Sequence, residues 1–370
     1  MKDESDLLRP ELASLPPYNA GLSAEEALAR PGVNRVAKLG SNENPLGPSP
    51  EARAAAAAAL ERMHVYPDPQ GRALVADLAS RHGCAPWQVV LGNGSEDLLA
   101  VLARAILRPG DRVVTLYPSF PLHEDYARLM GAEVERVGLD ADGRIDVPAL
   151  LAAVARPARL LLFSNPMNPA GRWLPPAELA AVLAAADPAT VVCIDEAYHE
   201  YAEGPDYASA EDLLATHSGA ALVLRTFSKA WGLAGLRIGY GLTSSRELRR
   251  GLDLARTPFN VNAPAQAAAR AALSSPEAVA AAVALVHRER DRVAARLAAL
   301  GLRVLPSKGN FLFFDAGRPS ADLAEALLDR GVIVKPWKQD GYATWLRVSI
   351  GLESENDQFL EAMDAIVGSA

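Results

Sequence analysis

Short, wholly apolar runs recur through the middle of the chain, each closed by a glycine, a turn or a polar residue and then followed by a helical pattern. Residues 89–91, 112–116, 160–163, 191–194, 221–224 and 238–242 read as strands, being brief and rich in valine, leucine and isoleucine. Strands that lack polar alternation and are separated by helices, such as the one over 98–106, predict an α/β fold. Its sheet is mostly parallel and covered by helices on both faces. Ligands of such sheets bind beyond the carboxyl ends of the strands, and the polar residues of this chain gather at those ends. Past residue 263 the pattern turns to long amphipathic helices over 266–273 and 276–300, then to strands over 304–305, 311–314, 332–334 and 346–350. That predicts a smaller α+β domain. Before residue 46 hydrophobic residues are few. Pro45, Pro48 and Pro50 cannot propagate a helix or a central strand, and helix resumes over 51–62 in an alanine-rich run. The expected organisation is an N-terminal arm over 1–45, a large domain over 46–262 and a small C-terminal domain over 263–370.

One of these runs leads into the chain's most suggestive chemistry. The strand over 221–224 reaches Thr226, Ser228 and Lys229; small residues follow, and Arg237 comes eight positions after the lysine. A lysine between a buried strand and a glycine-rich segment is desolvated and sits near cations, which lowers its pKa. A neutral amine is what condensation with a carbonyl requires. Thr226, Ser228 and Arg237 offer hydroxyl donors and a planar bidentate cation, which suit a phosphate monoester. Lysine and phosphate cup together suggest pyridoxal 5'-phosphate, anchored by its phosphate and its aldehyde carbon. The competing reading is a lysine on a solvated loop.

Composition narrows the setting without changing this picture. The chain has 370 residues, 50% hydrophobic and 22% charged, with a formal net charge of -8. The negative balance argues against nucleic-acid and anionic-membrane partners. No apolar run approaches the roughly 20 residues that span a bilayer. The acidic start, Met1-Lys2-Asp3-Glu4-Ser5-Asp6, leads into no secretory apolar region. Cys84 and Cys193 have no metal-ligand spacing, and no metal is expected. Cys193 lies inside an apolar run as a buried thiol, so the reducing cytoplasm is the expected compartment.

Four further stations carry polar chemistry. Gly92-Asn93-Gly94-Ser95-Glu96 stands between a strand and a helix, as either a plain turn or an anion site at a helix N-terminus. Asp195 closes an apolar strand, with Tyr198 three positions on. Such a carboxylate needs a partner, either a protonated pyridine nitrogen or the N–H groups of a helix cap. Asn165-Pro166-Met167-Asn168-Pro169-Ala170-Gly171 places two asparagines before prolines, as Asx turns or as amide donors to a ligand oxygen. Arg347 sits inside an apolar strand and needs an anion, internal or from a ligand. None of the six histidines has ligand spacing, and surface or capping roles are expected for all.

Taken in order, these stations resemble the fold-type I pyridoxal-phosphate aminotransferases, and among them the histidinol-phosphate aminotransferases most. The resemblance extends to Asn42-Glu43-Asn44-Pro45-Leu46-Gly47-Pro48, Tyr66-Pro67-Asp68, Asp195-Glu196-Ala197-Tyr198, Gly235-Leu236-Arg237-Ile238-Gly239 and Arg347-Val348-Ser349-Ile350-Gly351. It implies that Lys229 carries the cofactor and shuttles the proton, and that Asp195 pairs with the pyridine nitrogen. It also implies that Tyr198 and Asn168 contact the 3'-oxygen and that Phe120 stacks on the ring. Ser95, Glu96, Thr226, Ser228 and Arg237 would hold the phosphate, and Tyr66 would reach the phosphate of a neighbouring subunit's cofactor in a homodimer with shared sites. Arg347 would meet the substrate's carboxylate, with Asn168, Tyr18 and Asn42 in the same wall. The implied reaction is a ping-pong transamination from histidinol phosphate to 2-oxoglutarate in histidine biosynthesis; the alternative is an aromatic (phenylalanine or tyrosine) aminotransferase. A decarboxylase or lyase on this fold stands further off. A cofactor-sensing regulator needs a basic DNA-binding domain, and the segment before Asn42 is too short and too acidic for one. The chain departs from the family pattern in having Phe120 where tyrosine is frequent, and Pro169-Ala170-Gly171 where Pro-Thr-Gly is usual.

Overall fold

A computed structural model describes residues 7–19, 21–202, 204–214 and 217–367 of the chain. The N-terminal segment contributes a short helix, α1 (Ala24–Leu28), and a two-residue strand, β1 (Ala37–Lys38). Two helices follow, α2 (Pro50–Leu60) and α3 (Arg72–Arg81). Seven strands then form one sheet: β2 (Val89–Gly92), β3 (Arg112–Leu116), β4 (Glu133–Val137), β5 (Leu160–Ser164), β6 (Val191–Asp195), β7 (Ala221–Thr226) and β8 (Gly239–Thr243). They lie in the order β2-β8-β7-β6-β5-β3-β4, and only β8 runs antiparallel to its neighbours.

Both faces of this sheet are buried, so its central strands read as apolar without alternation. Val192, Ile194 and Val223 pack on one face with Leu150 and Val154 of α6 (Val147–Val154) and Leu179 and Val182 of α7 (Pro176–Ala185). Their neighbours Val191, Cys193, Leu222 and Leu224 face the other way. They meet Leu98 and Leu102 of α4 (Ser95–Ile106) and Leu248 and Leu252 of α8 (Arg246–Ala255). The remaining connecting helix, α5 (Pro121–Leu129), runs from β3 to β4. Strand β4 is one the apolar pattern did not predict. Its sequence, Glu133-Val134-Glu135-Arg136-Val137, carries three charged residues because it is the edge of the sheet; Val134 packs on the α4 and α8 face and Val137 on the α6 and α7 face.

α9 (Ala263–Leu273) puts Ala265, Ala268 and Ala269 into a core shared with Ala52 of α2 and with Val89 and Leu91 of β2. The long helix α10 (Pro276–Ala299) leads to a second sheet of β9 (Arg303–Leu305), β10 (Phe311–Asp315), β12 (Lys335–Pro336) and β13 (Trp345–Ser349), ordered β12-β13-β10-β9 and antiparallel throughout. Helices α11 (Ser320–Leu328) and α12 (Glu353–Val367) complete this part, with β11 (Val332–Ile333) between them. β1 pairs in parallel with β11, Ala37 opposite Val332 and Lys38 opposite Ile333. Ser349 N–H donates to the Leu39 carbonyl at 2.8 Å, and Asn42 N–H to Ser349 Oγ at 2.8 Å. Residues 37–42 are thereby stitched to the second sheet, and they cross from it towards the carboxyl ends of β5, β6 and β7.

Among the described residues no single helix is long and apolar enough to cross a membrane. Only the pair α9 and α10, bent by 81°, passes that test together.

Candidate active site

The carboxyl ends of β5, β6 and β7 open into a cavity of about 990 Å³, closed on its far side by residues 335–339 and Arg347 and at its mouth by residues 16–19. Of the residues singled out in the sequence, Lys229, Asp195, Tyr198, Asn168, Ser95, Glu96, Phe120, Thr226, Ser228, Arg237, Arg347, Tyr18 and Asn42 all line it. Tyr66 does not. It is 78% exposed and stacks on Phe259 at 4.6 Å, outside the cavity.

Lys229 follows β7 by three residues. Its Nζ donates to the Ser41 carbonyl at 3.0 Å. Burial, then the nearby Arg347, push the amine down to about 8. Asp195 ends β6 and is buried. Its Oδ1 accepts the Ala197 N–H at 3.1 Å, a local turn bond of the capping kind. Its Oδ2 lies 3.2 Å from His123 Nε2, so the side chain is held by more than a turn.

Tyr198 accepts from Asn42 Nδ2 at 3.0 Å and from Asn168 Nδ2 at 3.1 Å, which leaves its own proton to donate. Burial holds this hydroxyl up at about 12, so it stays protonated. The two asparagines are themselves fixed: Asn42 Oδ1 accepts from Ser349 Oγ at 2.8 Å, and Asn168 Oδ1 from Arg347 Nη1 at 2.6 Å. Asn42 keeps a left-handed backbone at φ 55, as does Arg237 at φ 58. Non-glycine residues hold that region only where their surroundings over-determine it.

Arg347, on β13, is buried, and its two protein partners are both neutral: Asn168 and, through Nη2 at 2.7 Å, the Gly40 carbonyl. Its Nε has no partner, and among the described residues no carboxylate pairs with it. A buried cation without a counter-charge is costly. An anion entering the cavity would supply that charge.

The opposite end is shaped for a second anion. Ser95 and Glu96 open α4, whose first N–H groups and macrodipole favour negative charge. Arg237 Nη1 lies 3.4 Å from Ser228 Oγ, and Nη2 lies 3.7 Å from Glu96. Thr226 is occupied locally, its Oγ1 accepting the Ser228 N–H at 3.1 Å and facing the Ile238 carbonyl at 3.5 Å. Two glycines keep the cup open. A Cβ on Gly94 would stand 2.6 Å from Arg237 Nη2, and one on Gly239 would stand 2.4 Å from Ser95 N. Glu96 also accepts the hydroxyl proton of Tyr126.

These residues fit pyridoxal 5'-phosphate. The donor cup at α4 suits its phosphate, Asp195 suits a ring nitrogen that carries a proton, Tyr198 suits the ring oxygen, and the Lys229 amine suits its aldehyde carbon. The unpaired Arg347 remains for the substrate's anion.

Several residues of the cavity were not found in the sequence. His123 was expected on the surface or in a cap; it is 1% exposed, set against Asp195, with its ring edge-on to Phe120 at 5.6 Å. The signal was present in part: Pro121 marks a helix start, and a spacing of three puts residues 120 and 123 on one side of it. Tyr126, Lys335, Trp337 and Gln339 also line the cavity and belong to segments with no motif of their own. Burial pushes the Lys335 amine down to about 8.

Residues 34–363 match the sequence profile of the aminotransferase class I and II family. "Histidinol-phosphate aminotransferase 3" of Rhizobium meliloti (strain 1021) is 55% identical over 359 residues, 97% of this chain and 97% of that protein. "Histidinol-phosphate aminotransferase 1" of Mesorhizobium japonicum is 53% identical, covering 99% of this chain and all of that protein. Among solved structures, histidinol-phosphate aminotransferase from Sinorhizobium meliloti in complex with pyridoxal-5'-phosphate superposes with a TM-score of 0.87 at 31% identity, covering 98% of each chain. With strand ends, a desolvated lysine and a phosphate-sized cup in one cavity, and with relatives matching from end to end, the chain belongs to the class I and II aminotransferases.

Proposed function

We propose that this pyridoxal-phosphate-dependent aminotransferase moves the amino group of histidinol phosphate to 2-oxoglutarate, a step of histidine biosynthesis. The observation that carries the substrate class is Arg347, a buried guanidinium with neutral partners only. Both half-reactions bring an anion to this wall, a carboxylate from glutamate or 2-oxoglutarate and a phosphate from histidinol phosphate. Lys335 and Lys338 line the same side. The high identity to histidinol-phosphate aminotransferases over nearly the full length supports this donor.

Bound pyridoxal phosphate supplies an electron sink that stabilises negative charge developing at the substrate's α-carbon. The chain's own residues prepare that event. Lys229, with a far larger neutral fraction than a solvated lysine has, is both the attachment point and the base that carries the α-proton. Asp195 keeps the ring nitrogen protonated, and His123 fixes the carboxylate's orientation. Tyr198 donates its proton to the ring oxygen, and the Asn42 and Asn168 amides hold it in place. Phe120 covers the ring. Arg237, Ser228, Ser95 and the first turn of α4 hold the phosphate.

In this reading the cavity is shared by a large domain over 46–262 and a small domain over 263–370, and residues 16–19 and 40–42 of the N-terminal arm line it. The working unit in this reading is a homodimer in which Tyr66 completes the partner's phosphate site. Exposed Leu60, Met63, Val65, Tyr66 and Phe259 form the apolar surface for that contact. Two free cysteines, one of them a buried thiol, suit the cytoplasm.

The test is kcat/KM for histidinol phosphate, phenylalanine and tyrosine with 2-oxoglutarate as acceptor. Histidinol phosphate is expected to lead. If phenylalanine or tyrosine leads by about tenfold, a transition-state preference of ~1.4 kcal/mol, the aromatic aminotransferase reading replaces this one.

A further inference from the structure

At the rim of the cavity one side chain from the second sheet's side is tied into the first. Gln339 Oε1 accepts the backbone N–H of Ser119 at 3.0 Å and the Trp337 indole N–H at 2.9 Å, and its Nε2 lies 3.4 Å from Ser119 Oγ. Beside it the Tyr117 hydroxyl donates to the Asp340 carbonyl at 2.8 Å. Ser119 passes the connection on, its hydroxyl donating to Glu124 Oε1 at 3.0 Å. Glu124 is 1% exposed and is held by Arg128 and Arg136. Ser119 directly precedes Phe120, and Glu124 directly follows His123. The chain of bonds therefore ends on the helical turn that puts Phe120 in the cavity and His123 against Asp195. On its other side Gln339 belongs to the segment that extends β12, where Lys335 sits opposite Arg347 in the sheet.

We propose that Gln339 is a positioning residue for transamination: by holding Ser119 it sets the wall that carries Arg347 at a fixed distance from the turn that aims Phe120 and His123. This rests on the transaminase reading above. The carboxamide oxygen faces two converging N–H donors, an arrangement that only an acceptor satisfies, and its loss leaves both donors without their partner. A wall released from that contact still carries Arg347 but no longer at the spacing a bound substrate needs. Binding of both the amino donor and the 2-oxo acid then weakens together.

The experiment compares Gln339→Ala and Gln339→Glu with the parent, as holoenzyme for kinetics and as apoprotein for amide hydrogen exchange. Gln339→Ala is expected to raise KM for donor and acceptor alike by about tenfold while kcat falls far less, the pattern of lost binding that is common to ground and transition states. In the apoprotein, the peptide containing the Ser119 amide is expected to exchange faster, with the β5 and β6 peptides unchanged. Gln339→Glu keeps an accepting oxygen and is expected to restore both. Unchanged KM or unchanged Ser119 exchange in Gln339→Ala overturns the proposal, and so does a Gln339→Glu protein as impaired as Gln339→Ala. If the parent protein transaminates no donor, the functional reading fails instead, and that outcome is separate from the exchange result.

Discussion

Of the arginines that line its cavity, Arg347 and Arg237 act with burial to hold the Lys229 amine near 8 instead of the 10.5 of a free lysine. Its neutral fraction therefore rises through a pH range where a solvated lysine is almost wholly charged. Uptake of pyridoxal phosphate by the apoprotein should follow a pH profile with a midpoint near 8, and Arg347→Ala should move it upward, because a removed positive neighbour favours the ammonium. A midpoint at the free-lysine value would contradict the desolvated site. The sign for stability follows from the same shift. Between pH 8 and 10.5 the unfolded chain binds more protons at this group than the folded one, so the apoprotein gains stability from Lys229 as pH rises through that window. Below it the burial penalty on the charged amine is present in full.

Among the elements, β8 and the turn into α4 show how backbone contact makes a site. β8 is the one strand that runs against its neighbours, and this brings Gly239, at its start, against the end of β2. A Cβ there would lie 2.4 Å from Ser95 N, 2.7 Å from the Gly94 carbonyl carbon and 3.0 Å from the Arg225 carbonyl oxygen. All three are backbone atoms and cannot step aside as a flexible side chain does. Gly239→Ala should push the first turn of α4 out of the position proposed for holding the phosphate. The dissociation constant for pyridoxal phosphate, titrated on the apoprotein, should rise by at least about tenfold, ~1.4 kcal/mol. Unaltered affinity would mean that the cup is built elsewhere. The edge strand β4 illustrates the other side of element-level reading. At the edge of the sheet its two valines are separated by charged residues, so a search for unbroken apolar runs passes over it.

Among the described residues, a run of apolar side chains over 60–66 stands exposed. Met63 is 76% exposed and Tyr66 78% exposed, with Leu60 and Val65 beside them in sequence and Phe259 stacked on Tyr66. Light scattering should give twice the 39.2 kDa of one chain. If the proposed homodimer has Tyr66 complete the partner's phosphate site, charges placed in this run by Met63→Glu with Val65→Glu should yield monomers that retain pyridoxal phosphate poorly. A monomer with full activity would rule out shared sites.

Local sequence was enough to determine the period of the buried strands, the polar residues that close them and the strand ends at which the cavity opens. Lys229 and Asp195 were legible because each ends or follows an apolar strand, and Arg347 because a cation inside such a strand demands a partner. Tertiary structure alone decided what those partners are. His123 meets Asp195 from 72 positions away, Asn168 and Gly40 meet Arg347 from 179 and 307 positions away, and Gln339 meets Ser119 across 220 positions. No local pattern records these pairs: none arises from a helical or strand repeat. The same holds for β1, whose two residues pair with β11 nearly three hundred positions on. Periodicity and turn chemistry are properties of neighbouring residues, whereas the spacing between two walls of a cavity is set only when both sheets have packed.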